Sequence, residues 1–478
     1  MTSNIVKFVY QNKIYEVNNP DPNETLLNYV RTKLKKTGTK EGCAEGGCGA
    51  CTVVLGELNK NNISYKAINS CITFLPSLEG KQLILVEDLN SRGELHPVQK
   101  SMVNYHGSQC GFCTPGFVMS LFAMYKNSSS YREQNIKDSI QGNLCRCTGY
   151  KPIVEAAKRL NRDSKNDFFR KDKKFTIRLL KKIKKRSIKI IHKNKKYFAP
   201  KSVNELKKIL RLEPNSKLIS GGTDVSLIVT KERKDINSLI YLNSIDELNY
   251  VKENNKYIEV GASTPLIKFE SFAKKYFPDF FQILKRYGSV QIRNVCTIAG
   301  NIATASPIGD TLPLLLALDS QIIVIGKNKT KILPLNGFFK NYRKTRLKKG
   351  QFIHSIRIPF LKQNIFKAYK ISKRIDDDIS SVCASFNMEI NENKIKKIKI
   401  AYGGMSNIPK RAFNCEKIFL NSYLSEKIIS KAKKLLEKDF KPITDTRATQ
   451  EYRMEVAKNL LEKCFFEVKQ KKTVRINS

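Results

Sequence analysis

Short alternating or continuous apolar runs dominate the beginning of the chain. Val6 to Val9, Ile14 to Val17, Thr52 to Leu55 and Leu83 to Val86, each bounded by Asn, Pro or Gly, predict strands. The period then changes. Behind Pro115, Phe117, Val118, Leu121, Phe122 and Tyr125 recur at helical spacing, and so do Ile153, Val154, Ala157 and Leu160 behind Pro152. Further on, Lys217 to Val229 places a Gly-Gly-Thr-Asp turn between two apolar runs. Ser289 to Asp310 sets small residues, Asn and Ser between apolar stretches. Near the end, Ile395 to Ala401 reads as a strand and the Lys-rich Ser425 to Phe440 as a helix. The longest apolar run, Thr311 to Gly326, is shorter than the ~20 residues of a membrane span and is broken by Asp319 and Ser320. Met1 to Tyr10 has no small-residue cleavage site and carries no export pattern, so a cytoplasmic protein is expected.

Cysteine spacing adds the chemistry. Of the twelve cysteines, eight form two sets before residue 150. In an intracellular chain of this size they point to metal ligation rather than to disulfides. Cys43, Cys48 and Cys51 with the distant Cys71 follow C-x4-C-x2-C…C, the plant-type spacing for a [2Fe-2S] cluster. Gly42, Gly46, Gly47 and Gly49 line that loop, which lets it curl backbone amides towards sulfur. Four thiolates also suit zinc, although zinc knuckles usually pair two C-x2-C units without such a loop. The second set, Cys110 and Cys113 followed by Cys145 and Cys147, lies between the two predicted helices. Cys145 and Cys147 can share one centre only from a turn or helix end, and Gly142 and Gly149 bracket such a turn. Cys296, Cys383, Cys415 and Cys464 stand singly and read as buried packing thiols. His96, His106, His192 and His354 form no metal cluster, and His354 reads as partly buried.

Composition bounds the architecture and leaves one question. At 478 residues the chain has room for about three domains of ~150 residues, and 41% hydrophobic residues with 25 Phe and 19 Tyr exclude a largely disordered chain. The net charge of +44 suits a nucleic-acid or anionic-surface binder as readily as an enzyme. Lys158 to Lys196 alone holds 18 Lys or Arg against 3 Asp. That block reads first as a solvated interdomain linker, then as a dock for an acidic partner, and last as a nucleic-acid site. There is no G-x-G-x-x-G, so a Rossmann domain is not indicated. Adjacent glycines after a strand, as at Gly221 and Gly222, can still offer amides to a pyrophosphate. Asn301, Thr304 and Ser306 offer hydrogen bonds to a bulky ligand.

The segments EGCAEGGCGAC, QCGFCTPG and GNLCRCTGY together resemble the iron-sulfur domain of the molybdenum hydroxylase family, which includes xanthine dehydrogenases and aldehyde oxidases. KLISGGTD, SVQIRNVCTIAGNIATASPIGD, NYRKT and KRIDDDIS resemble that family's FAD domain. The resemblance implies an α+β multidomain chain. Its parts are a β-grasp [2Fe-2S] ferredoxin domain over 1–85, a helical-bundle [2Fe-2S] domain over 86–160, the basic linker over 161–195, a vanillyl-alcohol-oxidase-type FAD domain over 196–364 and a small C-terminal α+β domain over 365–478. It implies that all eight cysteines are cluster ligands. By the same matching, Leu218, Ile219, Ser220, Gly221, Gly222, Thr223, Asp224 and Val225, with Thr297, Ile298, Ala299, Gly300 and Asn301, hold the FAD phosphates and ribityl chain. Tyr287 falls beside the flavin, and Asp310, Ile353 and Lys370 on further FAD contacts. Tyr342 and Asp377 match positions where nicotinamide meets the flavin, and the acids Asp376 to Asp378 favour NAD as acceptor.

The family's molybdopterin domain has no counterpart before Ser478, so a molybdopterin-binding large subunit is the expected partner, in a heterotetramer. The implied function is the electron-transfer subunit of an NAD-dependent purine-oxidising enzyme of the xanthine dehydrogenase type. Electrons would run from that partner through two [2Fe-2S] clusters to FAD and NAD. Oxidation of an aldehyde, nicotinate or CO by the partner is the alternative. A membrane role is not expected, and a nucleic-acid-binding iron-sulfur protein is the remote reading.

Overall fold

A computed structural model describes residues 3–470 except 92, 129, 161–166, 184–185 and 328. The chain divides into two compact units, residues 1–247 with 288–296, and residues 248–287 with 297–478. This division runs through the 196–364 stretch that the sequence suggests is one domain.

In the first unit, the predicted strands build a five-stranded sheet in the order Lys13–Asn18, Ile5–Tyr10, Gln82–Ile84, Thr52–Asn59, Asn62–Asn69. Ile5–Tyr10 and Gln82–Ile84 run parallel and the other neighbours antiparallel. Helix Leu26–Thr32, capped by the Thr25 hydroxyl, buries Leu26, Leu27, Tyr29 and Val30. A mixed sheet with one such helix is the β-grasp arrangement. The strand Asn62–Asn69 follows a tight turn at Lys60, whose φ is +54°, and buries Ile63, Tyr65 and Ala67.

Four helices follow, Pro97–Asn104, Thr114–Asn127, Glu133–Ile140 and Lys151–Lys158. Thr114–Asn127 is apolar almost all round, with ten buried residues in succession from Gly116 to Tyr125. It can be so because it packs both on its fellow helices and on strands Thr52–Asn59 and Asn62–Asn69. The sheet and the helical bundle thus share one core, in which Val54 and Tyr65 meet Phe117 and Phe122.

The basic stretch, where described, is packed structure rather than a solvated linker. Helices Phe168–Lys171 and Lys173–Lys182 bury Phe169, Leu180 and Ile183 in that shared core. Lysines on the opposite face conceal this helical period in the sequence. Asp167 fixes the entry to the stretch. Its side chain is wholly buried, accepts from the Arg170 amide, lies 2.9 Å from His96 Nε2 and pairs with Lys126 Nζ at 2.8 Å. His96 Nδ1 accepts from the Val98 amide, which leaves Nε2 to donate to Asp167. The strands Ile188–His192, Lys195–Ala199, Ser238–Tyr241 and Lys217–Ile219 then form a four-stranded sheet, three of them mutually parallel. Its Ile190, Tyr197 and Leu239 join a core with Phe8, Val53 and Leu83 of the β-grasp sheet.

The second unit has two sheets. One runs Val251–Glu253, Tyr257–Gly261, Phe352–Pro359, Gln321–Ile325, Thr330–Pro334. The other runs Ile365–Ile371, Val382–Asn391, Lys394–Gly403, Lys410–Arg411 and is covered by helices Phe413–Phe419, Glu426–Asp439 and Gln450–Gln470. The apolar run Thr311 to Gly326 divides into helix Thr311–Ala317 and strand Gln321–Ile325. Among the described residues no helix is long and apolar enough to cross a membrane.

Burial opposes ionisation of Asp167, but hydrogen bonds from His96 and Lys126 hold its carboxyl below the usual carboxylate range. Its contribution is therefore present above the unfolded carboxylate pKa of ~3.9 and is lost as pH falls through the lowered folded value. Asp167→Asn, which leaves Lys126 buried without a counter-charge, is expected to lower denaturant stability of the first unit by about 3 kcal/mol at neutral pH. The difference from wild type should shrink in acid, as measured by urea unfolding across pH.

Candidate functional site

The first cysteine set sits on a loop that regular structure cannot hold. Between Lys40 and Cys51 the backbone makes no helix or strand, and Ala44, Gly46 and Gly49 take positive φ of 56°, 80° and 70°. Cys71 comes from the short helical turn Ser70–Ile72 that follows strand Asn62–Asn69. Cys51 Sγ and Cys71 Sγ stand 3.2 Å apart, and Cys43 hydrogen-bonds both Cys48 and Cys71. In the second set Cys110 and Cys147 Sγ are 3.4 Å apart, and Cys113 contacts Cys145. Cys113 caps helix Thr114–Asn127, while Cys145 and Cys147 lie in the turn before helix Lys151–Lys158. The Thr148 amide and hydroxyl reach Cys145 Sγ at 3.4 and 3.1 Å.

Such proximity splits the proton affinities. Cys43 is pulled down by its bond to Cys48, and Cys48 is pushed up by the same bond. Cys51 is lowered by Cys71, and Cys71 is raised by Cys43 and Cys51. Cys110 is lowered by the Phe112 amide and by Cys147, and Cys147 is raised by Cys110. Burial and the bond to Cys145 push Cys113 up to about 12; Cys145 is lowered despite its burial, by hydrogen bonds from Thr148. Two thiolates in contact repel each other, and a cation is what lets both members of a contacting pair be thiolates. Among the described residues, no group of three or more His, Cys, Asp or Glu is arranged to hold a single metal ion. In the first set the sulfur contacts run Cys48–Cys43–Cys71–Cys51, and in the second they join Cys110 to Cys147 and Cys113 to Cys145.

The two sets differ in setting and are joined directly. Cys51 and Cys71 are buried, whereas Cys110 and Cys147 are exposed beside Phe112 and Leu144, themselves 48% and 42% exposed. The Leu144 amide donates to the Cys48 carbonyl at 3.0 Å, so a ligand-bearing loop of one set touches that of the other. A Cβ on Gly49 would lie 2.2 Å from the Gly142 carbonyl oxygen, which makes glycine obligatory at this crossing. Asn143 Nδ2 donates to the Gly49 carbonyl at 3.0 Å, and Gln291 Nε2 donates to Asn143 Oδ1 at 3.0 Å and Ser120 Oγ at 3.1 Å. Neither Asn143 nor Gln291 was legible as part of this site, although Asn143 lies inside the GNLCRC motif.

The Gly-Gly-Thr-Asp loop leaves the C-terminal end of strand Lys217–Ile219, where open parallel sheets bind ligands. Ser220 to Val225 are half-buried, and Gly222 takes φ +74°. Ser226 Oγ donates to the Ile72 carbonyl at 2.8 Å, which ties this loop to the residue after Cys71. Leu227 and Ile292 pack against Cys51, Cys71 and Ile72.

The remaining candidates belong to the second unit. Thr297 caps helix Ile298–Thr304 by accepting from the Gly300 amide. Thr311 Oγ1 donates to Asn301 Oδ1 at 2.5 Å, beside Asp310. Asp310 and Lys370 form a buried ion pair at 2.7 Å, with Ser380 Oγ also donating to Asp310. Lys370 Nζ donates as well to the carbonyls of Arg286 and Asp378, and Arg286 donates to those of Lys370 and Ile375. The 372–380 loop, where Asp377 takes φ +46°, is thus held at both ends. Arg286 gave no signal in the sequence, and Ser380 none beyond closing the KRIDDDIS segment. Tyr287 is half-buried, Ile353 is buried within Phe352–Pro359, and Tyr342 is 58% exposed. Cys296, Cys383, Cys415 and Cys464 are all buried.

Four domain families match in chain order. They are a 2Fe-2S iron-sulfur cluster binding domain over 9–75, a [2Fe-2S] binding domain over 85–158, the FAD binding domain in molybdopterin dehydrogenase over 191–361 and the CO dehydrogenase flavoprotein C-terminal domain over 367–468. The xanthine dehydrogenase of Emericella nidulans is 34% identical over 83% of this chain. The xanthine dehydrogenase/oxidase of Rattus norvegicus is 30% identical over 84%. The chain is similar to these xanthine dehydrogenases over most of its length. It spans about a third of the length of these relatives, 33% and 34%. It carries two [2Fe-2S] domains, an FAD binding domain and a flavoprotein C-terminal domain. Two solved structures share part of the fold. A carbon monoxide dehydrogenase from Hydrogenophaga pseudoflava that lacks the Mo-pyranopterin moiety aligns with TM-score 0.54 and 24% identity, over 57% of this chain and 96% of its own. Quinoline 2-oxidoreductase from Pseudomonas putida 86 aligns with TM-score 0.54 and 18% identity, over 58% of this chain and 98% of its own.

Lys370→Met strands the buried Asp310 carboxylate. It is expected to destabilise the second unit by about 3–5 kcal/mol in denaturant unfolding, and Lys370→Met with Asp310→Asn should recover part of the loss.

Proposed function

We propose that this chain is the iron-sulfur and flavin portion of a xanthine dehydrogenase-type enzyme. Its bound [2Fe-2S] clusters and FAD would supply one-electron carriers and a two-electron acceptor between a molybdopterin centre outside residues 1–478 and NAD. The carrying observation is the pair of four-thiol sets in one unit, joined by the 3.0 Å hydrogen bond from Leu144 to Cys48. Cys43, Cys48, Cys51 and Cys71 are assigned to one cluster, and Cys110, Cys113, Cys145 and Cys147 to the other. Each set would supply the four cysteine thiolates that a [2Fe-2S] cluster takes.

Position gives each set its task. Cys110 and Cys147 are exposed, as are their sequence neighbours Phe112 and Leu144, an apolar edge that suits docking of a molybdopterin-binding subunit or domain. Cys51 and Cys71 are shielded from water and adjoin the Gly-Gly-Thr-Asp loop, which suits delivery towards FAD. The FAD contacts are assigned to Leu218 to Val225, Tyr287, Thr297 to Asn301, Asp310, Ile353 and Lys370. Backbone amides around Gly221 and Gly222 supply donors for a pyrophosphate. The nicotinamide-side residues are assigned as Tyr342 and Asp377. The loop bearing Asp377 is fixed by Arg286 and Lys370, so its acids are presented with little freedom. A hypoxanthine or xanthine substrate and a heterotetramer complete the reading.

Purified chain is expected to contain iron, acid-labile sulfide and FAD and to reduce dyes with NADH. Cys51→Ser and Cys110→Ser should each abolish a different one of two [2Fe-2S] EPR signals and leave the other. A chain that binds zinc in place of iron, or a single signal lost in both variants, contradicts the assignment.

A further inference from the structure

Asn69 is the last residue of strand Asn62–Asn69, stands two positions before Cys71 and is 2% exposed. Its Nδ2 donates to Cys51 Sγ at 3.8 Å, and its Oδ1 meets no hydrogen-bond donor. An amide half-satisfied in a dry interior is destabilising, a cost that leucine, with the same branching, would avoid. The strand itself does not need the side chain, because pairing with Thr52 uses the backbone. What the amide N–H does face is a sulfur whose neighbours are buried. Cys51 is 1% and Cys71 3% exposed, and Leu27, Ile72, Leu227 and Ile292 surround them.

One-electron reduction of a thiolate-bound [2Fe-2S] cluster adds a full negative charge and, with no proton taken up, that charge must be met by dipoles. Water screens the exposed Cys110 and Cys147 in the second set. At the buried pair, screening is weak and a single N–H dipole counts for more. Burial alone drives a cluster's potential down, and hydrogen bonds to its sulfurs drive it up.

Resting on the cluster assignment made above, we propose that Asn69 is a tuning residue for the buried cluster: its amide N–H stabilises the reduced form and raises that cluster's midpoint potential. The effect keeps the buried centre reducible by the exposed one, so electrons can move inward. Asn69 acts on Cys51 and holds no metal itself.

The test is a mediated dithionite titration of the full chain followed by EPR, on wild type, Asn69→Leu and Asn69→Ser. Leucine keeps the volume and serine keeps polarity with a shorter reach, so a folding failure of one leaves the other to carry the measurement. Expected is a tenfold drop in the reduced-to-oxidised ratio of one cluster at fixed potential in Asn69→Leu, about 59 mV downward for one electron. A smaller drop is expected in Asn69→Ser, with the second cluster unmoved and iron content kept. Wild-type potentials for both clusters in the variants overturn the inference. Loss of the first cluster from both variants also overturns it, because Asn69 is then a packing residue. A wild-type chain without two [2Fe-2S] signals fails the relay reading itself, and this inference with it.

Discussion

Thiols in van der Waals contact cannot all ionise unless a cation sits among them, and this constraint organises the first half of the chain. Hydrogen bonding within the contacting pairs Cys43–Cys48 and Cys110–Cys147 lowers one thiol and raises the other. Regular secondary structure cannot bring four sulfurs from such short spacings to one place. The chain therefore leaves helix and strand around Cys43 to Cys51 and again around Cys145 to Cys147. The positive φ values at Ala44, Gly46, Gly49, Gly149 and Tyr150 are the backbone cost of those loops. Rigid elements absorb it, since the loops are anchored on strand Thr52–Asn59 and on helices Thr114–Asn127 and Lys151–Lys158.

Packing then turns two metal-binding modules into one body. The helix Thr114–Asn127 has no solvent face to spare because it is shared between the bundle and the β-grasp sheet. The basic stretch closes the same core through Phe169, Leu180 and Ile183, pinned by Asp167 between His96 and Lys126. This places part of the +44 charge on the outer face of packed helices, where it does not require a nucleic-acid partner. The Gly49, Gly142 and Asn143 crossing and the Ser226 to Ile72 bond extend the same rigidity from one loop to the next.

How far the sequence reached depended on the kind of signal. Cysteine spacing carried the two sulfur sets, because few arrangements satisfy ligand geometry and the glycines mark the curled loop. Period-2 and period-3.6 runs gave the β-grasp strands and the helices behind Pro115 and Pro152. Strand Asn62–Asn69 went unread because Lys66 and the flanking asparagines blur its alternation, and the basic helices because Lys hides their apolar stripe. Asn69, Asn143, Gln291 and Arg286 were silent for a different reason. Their roles lie in partners 18 to 239 positions away, which no local pattern encodes. The family resemblance supplied the flavin expectations, and among them Asp310 and Lys370 are joined by a direct side-chain ion pair.

The central claim is that a single chain holds two one-electron centres and one two-electron centre. A stoichiometric reductive titration of the purified full chain, followed by absorbance and EPR together, tests it most directly. The account predicts uptake of one electron by each of two [2Fe-2S] clusters and two by the flavin, four per chain. Uptake confined to the flavin, or none, with zinc bound at the cysteines, contradicts it.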